Sequence, residues 1–107
     1  MQKSDVTVVI RYEAKAGKAE TAVRELTELI NTVVKEEPAC RGIWLHQDTG
    51  APEKLLLVEH WTSQEAYTGP HMQAPHLTAF VGRAFEFLAG PPEITFWHGV
   101  SSATPER

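Results

Sequence analysis

The chain has 107 residues, 42% of them hydrophobic and 22% charged, a globular composition that suits one domain (1–107) with a modest core. Its net charge is −4 without a basic stripe, and no apolar run approaches the ~20 residues that span a bilayer, so we expect neither a nucleic-acid nor a membrane partner. Cys40 is the only cysteine, which excludes an internal disulfide, and without a secretory signal the expected location is the cytoplasm.

The first third of the chain predicts a strand followed by a long helix. Residues 5–13 are rich in β-branched side chains and alternate between two faces, which is typical of a strand. Apolar residues from Ala19 to Val34 recur at steps of three and four, which predicts one helical stripe of about five turns. Pro38 ends this helix, because the residue before a proline avoids helical dihedrals.

The middle of the chain predicts a hairpin and then a short capped helix. Residues 40–47 and 54–61 have strand character, and the turn-forming residues between them favour an antiparallel pair. The T-x-x-E sequence from Thr62 to Glu65 predicts a capping box, in which a hydroxyl and a carboxylate satisfy the first amides of a helix. That helix stops at Gly69.

The last third predicts a second helix and a final strand. Pro75 suits a first helical turn, where its missing amide needs no partner. The helix after it carries an apolar stripe made of Leu77, Phe80, Val81, Ala84, Phe85 and Leu88. Residues 93–99 form the last strand, so the element order is β-α-β-β-α-β. This order predicts a ferredoxin-like α+β fold with an antiparallel sheet, a core over about residues 5–100 and a polar tail, 101–107.

Both faces of the predicted sheet are apolar, although the helices can cover only one of them. In the third strand, Leu55 and Leu57 alternate with Leu56 and Val58. Strands that are apolar on both faces are normally covered on both. We therefore expect a homodimer in which a second copy covers the free face.

The candidate chemistry lies between the third strand and the last helix. His71 and His76 flank a proline in an irregular stretch, where an imidazole can exchange a proton near neutral pH. Each could instead cap a helix or bind a backbone carbonyl. Glu59 follows an apolar run, where a carboxylate is costly to bury unless it is paired. A pair with Arg11 or Arg41, either across strands or between subunits, is therefore the alternative to a catalytic role for Glu59.

Two other kinds of site are less favoured. A metal could use His60, His71, His76 and Glu59, but the separation of His71 from His76 across a proline does not fit a helical zinc pair, so we expect no metal. The three tryptophans lie on three different strands, where large aromatic residues pack in a core or a dimer interface more often than they line a ligand pocket.

The segment 57–80 resembles the antibiotic biosynthesis monooxygenase domain, a family of the dimeric α+β barrel superfamily. The usual block of that family runs acid, variable residue, aromatic residue, a short helix with Ala-aromatic, and two histidines with four residues between them. The matching residues here are Glu59, Trp61, Ala66, Tyr67, His71 and His76. The element order extends the resemblance over nearly the whole chain.

The resemblance implies cofactor-free oxygenation of a small electron-rich aromatic, such as a quinol or an anthrone, by molecular oxygen. It implies His71 or His76 as the base, with Glu59 behind it, in a dry apolar pocket that protects an anionic intermediate. The candidate substrate-binding residues are Trp61, Tyr67, Phe80, Trp44 and Arg11.

Two alternatives stay open. A non-catalytic dimeric domain that binds a small molecule or serves a stress response fits the same residues, since each of them has a structural interpretation. A haem-degrading relative in the same superfamily uses an Asn on its first strand and a Trp–His pair on its helical side. Here the first strand offers Arg11 and Tyr12, which disfavours haem cleavage.

Overall fold

Four antiparallel strands form a single sheet, with the helices packed on one of its faces. The strands are β1 (Val6–Glu13), β2 (Cys40–Gln47), β3 (Lys54–Trp61) and β4 (Glu93–Trp97). Their spatial order is β2-β3-β1-β4, so the first strand lies in the centre. The computed structural model describes residues 5–106. It confirms the predicted ferredoxin-like α+β fold.

One long helix and a broken helical segment cover the inner face of the sheet. The helices are α1 (Ala19–Glu36), α2 (Gln64–Thr68) and α3 (Pro75–Arg83), with 3₁₀ turns at Pro70–Gln73 and Ala84–Glu86. In the described part of the chain, no helix is long and apolar enough to cross a membrane. The element order is the predicted one, with the 3₁₀ turns added.

The inner face is continuous and almost entirely apolar. α1 buries Ala22, Leu26, Leu29 and Val33, whose steps of four and three place them on one side of the helix. β3 buries every second residue, namely Leu55, Leu57, Glu59 and Trp61. Glu59 is thus the one acidic side chain in a row of buried apolar groups, and it lies opposite Val8 of β1.

The short helix α2 has a different N-cap from the predicted one. The hydroxyl of Ser63, rather than that of Thr62, accepts a hydrogen bond from the amide of Ala66 at 3.1 Å. Ser63 has an extended backbone, which is the usual N-cap conformation. The capping-box prediction was therefore wrong by one residue, because two hydroxyl residues stand side by side and the T-x-x-E spacing fits only the first.

The predicted stripe of the last helix does not continue along one helix. α3 ends at Arg83, and the 3₁₀ turn after it has about three residues per turn instead of 3.6, which rotates the side chains that follow. Phe85, which lies in that turn, is therefore 68% exposed, whereas Phe87 is buried. Val81, on α3 itself, is 64% exposed. The last strand also ends two residues earlier than predicted, at Trp97 rather than at residue 99.

The outer face of the sheet carries apolar groups with no cover from this chain. Trp44 pairs with Val58 across β2 and β3, and Val58 pairs with Val9 of β1. Trp44 and Trp97 are 49% and 57% exposed, and Val9 and Val58 are half-buried. We call the surface formed by these four residues the outer face. The cover expected from a second copy stays a prediction.

Candidate functional site

Three polar side chains from distant parts of the chain converge on one oxygen atom. Oε2 of Glu37 lies 2.9 Å from Nδ1 of His71 and 2.6 Å from Nε2 of His76. The three side chains are 5% to 18% exposed. We call these three residues the His–Glu cluster. The two histidines that sequence analysis singled out are thus brought together by a carboxylate that it did not consider.

Local backbone structure explains why the three side chains meet. Glu37 is the C-cap residue of α1 and has an extended backbone, so its side chain leaves the direction of the helix. Pro70 and Pro75 each occupy a first helical turn, and the chain changes direction at both. His71 therefore lies in the 3₁₀ turn and His76 at the start of α3.

The hydrogen bonds define the proton positions in the His–Glu cluster. A carboxylate oxygen only accepts, so Nδ1 of His71 and Nε2 of His76 each carry a proton. Burial lowers the pKa of His71, against the opposing effect of Glu37, so this imidazole is neutral at pH 7. Its second nitrogen, Nε2, consequently holds a lone pair. Glu37 fixes one tautomer of His71, as a carboxylate does for a catalytic histidine.

An aromatic stack joins His71 to the core. The ring of His71 lies 4.7 Å from Trp61 and 4.9 Å from Tyr67, measured between centroids. Tyr67 also meets Trp61 edge-on at 5.5 Å. We call the rings of these three residues the aromatic stack. Because both Trp61 and Tyr67 are buried, the imidazole has little freedom to rotate.

Glu59 lies beside this stack and is held by a tryptophan, not by an arginine. Its Oε1 accepts a hydrogen bond of 2.8 Å from Nε1 of Trp61. Burial raises the pKa of Glu59 to about 7, although the bond from Trp61 opposes the rise. The predicted cross-strand pair is wrong, since Arg11 points to the opposite side of the sheet and binds Glu93 at 3.2 Å, and within residues 5–106 no ion pair joins Glu59 to Arg41. A pair between two copies stays a prediction.

An apolar cavity of about 610 Å³ lies between the last helical segment and the edge of the sheet. The polar side chains in its wall are Tyr12, Lys15 and Tyr67. The remaining wall is apolar and includes Phe80, together with Val81 and Phe85 at its exposed side. The two residues that left the predicted stripe therefore face this cavity.

The phenols in the cavity wall are neutral hydrogen-bond donors. Burial raises the pKa of both Tyr12 and Tyr67 far above the ordinary value for a phenol, and the nearby charge of Glu59 adds to the effect. Neither histidine lines the apolar cavity, but Tyr67 does, and its ring contacts that of His71. The cavity and the base candidate are thus adjacent but separated by one ring.

A second cavity, of about 690 Å³, opens on the other side of the cluster. Glu37, His76 and Trp61 line it, together with Thr32 of α1. The His–Glu cluster therefore lies between two spaces, one next to the aromatic stack and one between α1 and the α2–α3 segment.

The structure separates the sequence-predicted residues into two groups. Glu59, Trp61, Tyr67, Phe80, His71 and His76 lie on the inner side of the sheet, in or near the site. Trp44 and Arg11 lie on the opposite side. His60, a metal candidate, is also there, with its ring 5.0 Å from Trp44.

Sequence reasoning missed Glu37, Tyr12 and Lys15 as site residues. Glu37 had a signal, since a carboxylate at the C-terminal end of a helix is unfavourable next to the negative end of the helix dipole unless a hydrogen-bond donor compensates it. Tyr12 continues the inner row of β1, which points towards the helices. Cys40 offers no alternative nucleophile, because burial raises the pKa of its thiol to about 11.

Known proteins share this architecture. Residues 5–83 match the sequence profile of the antibiotic biosynthesis monooxygenase family. Among curated proteins, none matches the chain significantly. A crystal structure from Pseudomonas aeruginosa superposes with a TM-score of 0.82 at 23% identity, covering 94% of this chain and 99% of the other.

Two further structures are similar over nearly the full chain. One from Mycobacterium tuberculosis has a TM-score of 0.77 at 25% identity, covering 94% of this chain and 100% of its own. A candidate antibiotic biosynthesis monooxygenase from Bacteroides thetaiotaomicron has a TM-score of 0.82 at 14% identity and covers 98% of both chains. These likenesses show a shared fold, and the family profile covers most of the chain. The chain belongs to the antibiotic biosynthesis monooxygenase family.

Proposed function

We propose that this protein is a cofactor-free monooxygenase that acts on a small electron-rich aromatic molecule, of the quinol or anthrone kind. The observation that carries the proposal is the apolar cavity, whose polar wall groups are two neutral phenols and one lysine. Its volume of about 610 Å³ lies in the range of pockets that hold small organic ligands. Family membership supports the same type of reaction.

The apolar wall suits chemistry that passes through an organic anion. Molecular oxygen reacts slowly with closed-shell molecules, but a deprotonated phenol or an activated carbanion can give it one electron. A dry wall prevents water from quenching the anion. The hydroxyls of Tyr12 and Tyr67, together with the ammonium group of Lys15, are the donors that can stabilise its negative charge.

The base in this proposal is His71. It is neutral at pH 7 because burial lowers its pKa, and its Nε2 lone pair is free of the bond to Glu37. Glu37 then stabilises the imidazolium that forms, in the manner of the carboxylate in a catalytic triad. Tyr67 lines the cavity and contacts His71, which does not line it. The proton of the substrate therefore reaches His71 through a bridging water, or directly once the ring of Tyr67 has moved slightly.

The reaction balances without an external reductant. For an anthrone-like substrate, the base removes one of the two protons of the activated methylene carbon, and the resulting anion gives one electron to oxygen. The radical and superoxide combine at that carbon to form a peroxide, which takes up the proton. Loss of water from the peroxide leaves a carbonyl group. One oxygen atom enters the product and the other becomes water, so the substrate supplies all the electrons.

The proposed assembly is a homodimer, the dimeric α+β barrel, in which a second copy covers the outer face. The support is the partial exposure of Trp44 and Trp97 on a sheet that helices cover on one side only. In such a dimer, Trp44 and Arg11 belong to the interface between copies, which explains their separation from the apolar cavity.

Oxygen uptake with a panel of quinols and anthrones tests the proposed function. If His71 is the general base, His71→Ala lowers kcat/KM by ~10² or more. His98→Ala is the matched control, since His98 is an exposed histidine beyond the end of β4, outside the His–Glu cluster, the apolar cavity and the outer face.

Two outcomes contradict the proposal in different ways. An unchanged rate in His71→Ala removes the assigned base. Saturable quenching of tryptophan fluorescence by the same aromatic compounds, with no oxygen uptake, instead supports a domain that only binds small molecules.

A further inference from the structure

The geometry points to a second property of the His–Glu cluster: we propose that Glu37, His71 and His76 bind a divalent transition-metal ion of the zinc type. The inference goes beyond the proposed oxygenase, which uses no metal. It rests on three ligand atoms from separate parts of the chain, which all lie within 4.8 Å of one another. Among the described residues, the His–Glu cluster is the group of three histidine or acidic side chains whose potential ligand atoms lie this close together.

The donor set matches the preference of zinc and its neighbours. Imidazole nitrogen suits Zn²⁺, Fe²⁺, Ni²⁺ and Cu²⁺, whereas Mg²⁺ and Ca²⁺ prefer oxygen ligands only. Two histidines and one carboxylate leave a coordination position open in a tetrahedral zinc site. The carboxylate supplies one negative charge, which offsets part of the charge of a divalent ion.

The present hydrogen bonds show that the nitrogens already aim at a common point. Nδ1 of His71 and Nε2 of His76 both point at Oε2 of Glu37, at 2.9 and 2.6 Å. Zinc–nitrogen and zinc–oxygen bonds are about 2.0–2.2 Å, so ligand atoms around a tetrahedral zinc stand roughly 3.3–3.5 Å apart. The ion therefore replaces two protons, and each nitrogen moves away from Oε2 of Glu37 by less than about 1 Å.

The surroundings allow entry and limit competing ligands. Glu37 and His76 line the second cavity, which gives an ion and a water ligand access from that side. His71 is only 5% exposed in its side chain and is packed against Trp61 and Tyr67. Its ring is therefore pre-positioned, which reduces the entropy lost when a metal binds.

The residues that sequence analysis considered for a metal do not form this site together. His60 lies on the other side of the sheet, and Glu59 is bound to Trp61. Glu37, which comes from the end of α1, is what completes the set.

Titration of untagged, EDTA-treated protein with Co²⁺ and Zn²⁺ tests the proposal. We expect one equivalent of Co²⁺ per chain to give the intense visible absorption of a tetrahedral site, and Zn²⁺ to displace it. At a hundredfold excess over Kd, a bound metal raises Tm by about 10 °C in a domain of this size. Mg²⁺ should produce neither effect.

Matched variants locate the metal. Glu37→Gln and His76→Ala should each weaken Co²⁺ binding tenfold or more, whereas His46→Ala, an exposed histidine elsewhere, should not change it. Far-UV circular dichroism of the metal-free variants checks that they are folded.

Proton and nitrogen NMR of the histidine rings gives a reading that needs no variant. Zinc should shift the ring signals of His71 and His76 and leave His46 unchanged. Retention of the aqua-ion spectrum of Co²⁺, or equal binding by all variants, overturns the proposal. Because all of these measurements are made without substrate, their failure is distinguishable from failure of the proposed oxygenase.

Discussion

The buried carboxylate of Glu59 makes a specific prediction about stability and pH. Glu59 is 3% exposed, and burial raises its pKa from the ordinary 4.5 to about 7. A group with a higher pKa in the folded than in the unfolded state keeps its proton on folding in the interval between the two values. The folded state then binds more protons, so the free energy of unfolding falls as pH rises from about 4.5 to about 7.

The size of the effect follows from the two pKa values. Each pH unit across this interval is worth ~1.4 kcal/mol, so the loss attributed to Glu59 reaches roughly 3 kcal/mol above pH 7. Glu59→Gln keeps the shape of the side chain, and the amide oxygen can still accept the hydrogen bond from Trp61. The variant has no proton to lose, so its stability should not carry this component.

Urea unfolding at pH 5 and pH 8, at one protein concentration, measures the difference. Glu59→Gln should lie close to the wild type at pH 5 and exceed it by roughly 3 kcal/mol at pH 8. His71, whose pKa is lowered, acts in the opposite direction in both proteins and cancels in the comparison. Parallel stability profiles for the two proteins would refute the assignment of a proton to buried Glu59.

Two further predictions concern the partners of these groups. Trp61→Phe removes the hydrogen-bond donor to Glu59, so the variant should be destabilised by about 1–3 kcal/mol more at pH 8, where the carboxylate is charged, than at pH 5. Urea unfolding measures this difference, which should disappear when Glu59 is replaced by Gln. In the proposed dimer, Trp44→Glu places a charge on the outer face, so light scattering should report a monomer for this variant. Val34→Glu, at a position of equal exposure on α1, should keep the mass of the wild type. A monomeric wild type, or equal masses for both variants, contradicts the proposed dimer.

Local patterns in the sequence predicted the elements well and their exact ends less well. The alternation in β1, β2 and β3 is written in neighbouring residues, so the predicted bounds differ from those observed by no more than one residue. The 3₁₀ turn at Ala84–Glu86 was missed, because apolar residues continue to recur every three or four positions through it, as they do in an α-helix. The exposure of Phe85 is its visible consequence.

Only part of the site could be predicted, because its residues come from segments that are far apart in the sequence. Tyr67, His71 and His76 lie within one short segment, and their composition alone marked them as candidates. Glu37 meets His76 across a separation of 39 residues, which only the packing of α1 against the α2–α3 segment creates. The incorrect prediction of a pair between Glu59 and Arg11 has a related cause. Residues on neighbouring strands can point to opposite sides of the sheet, as these two do.

The two proposals for the His–Glu cluster compete for one atom, which makes them mutually testable. Nδ1 of His71 either carries the proton donated to Glu37 or binds a metal, and it cannot do both. With the proton on Nδ1, the lone pair is on Nε2, and His71 can act as a base. With a metal on Nδ1, the proton of the neutral imidazole moves to Nε2, and that lone pair is lost. If both proposals hold, zinc inhibits oxygen uptake at the concentration at which it displaces Co²⁺, and EDTA restores the rate. If zinc binds at one equivalent and the rate is unchanged, the metal site stands and His71 is not the base.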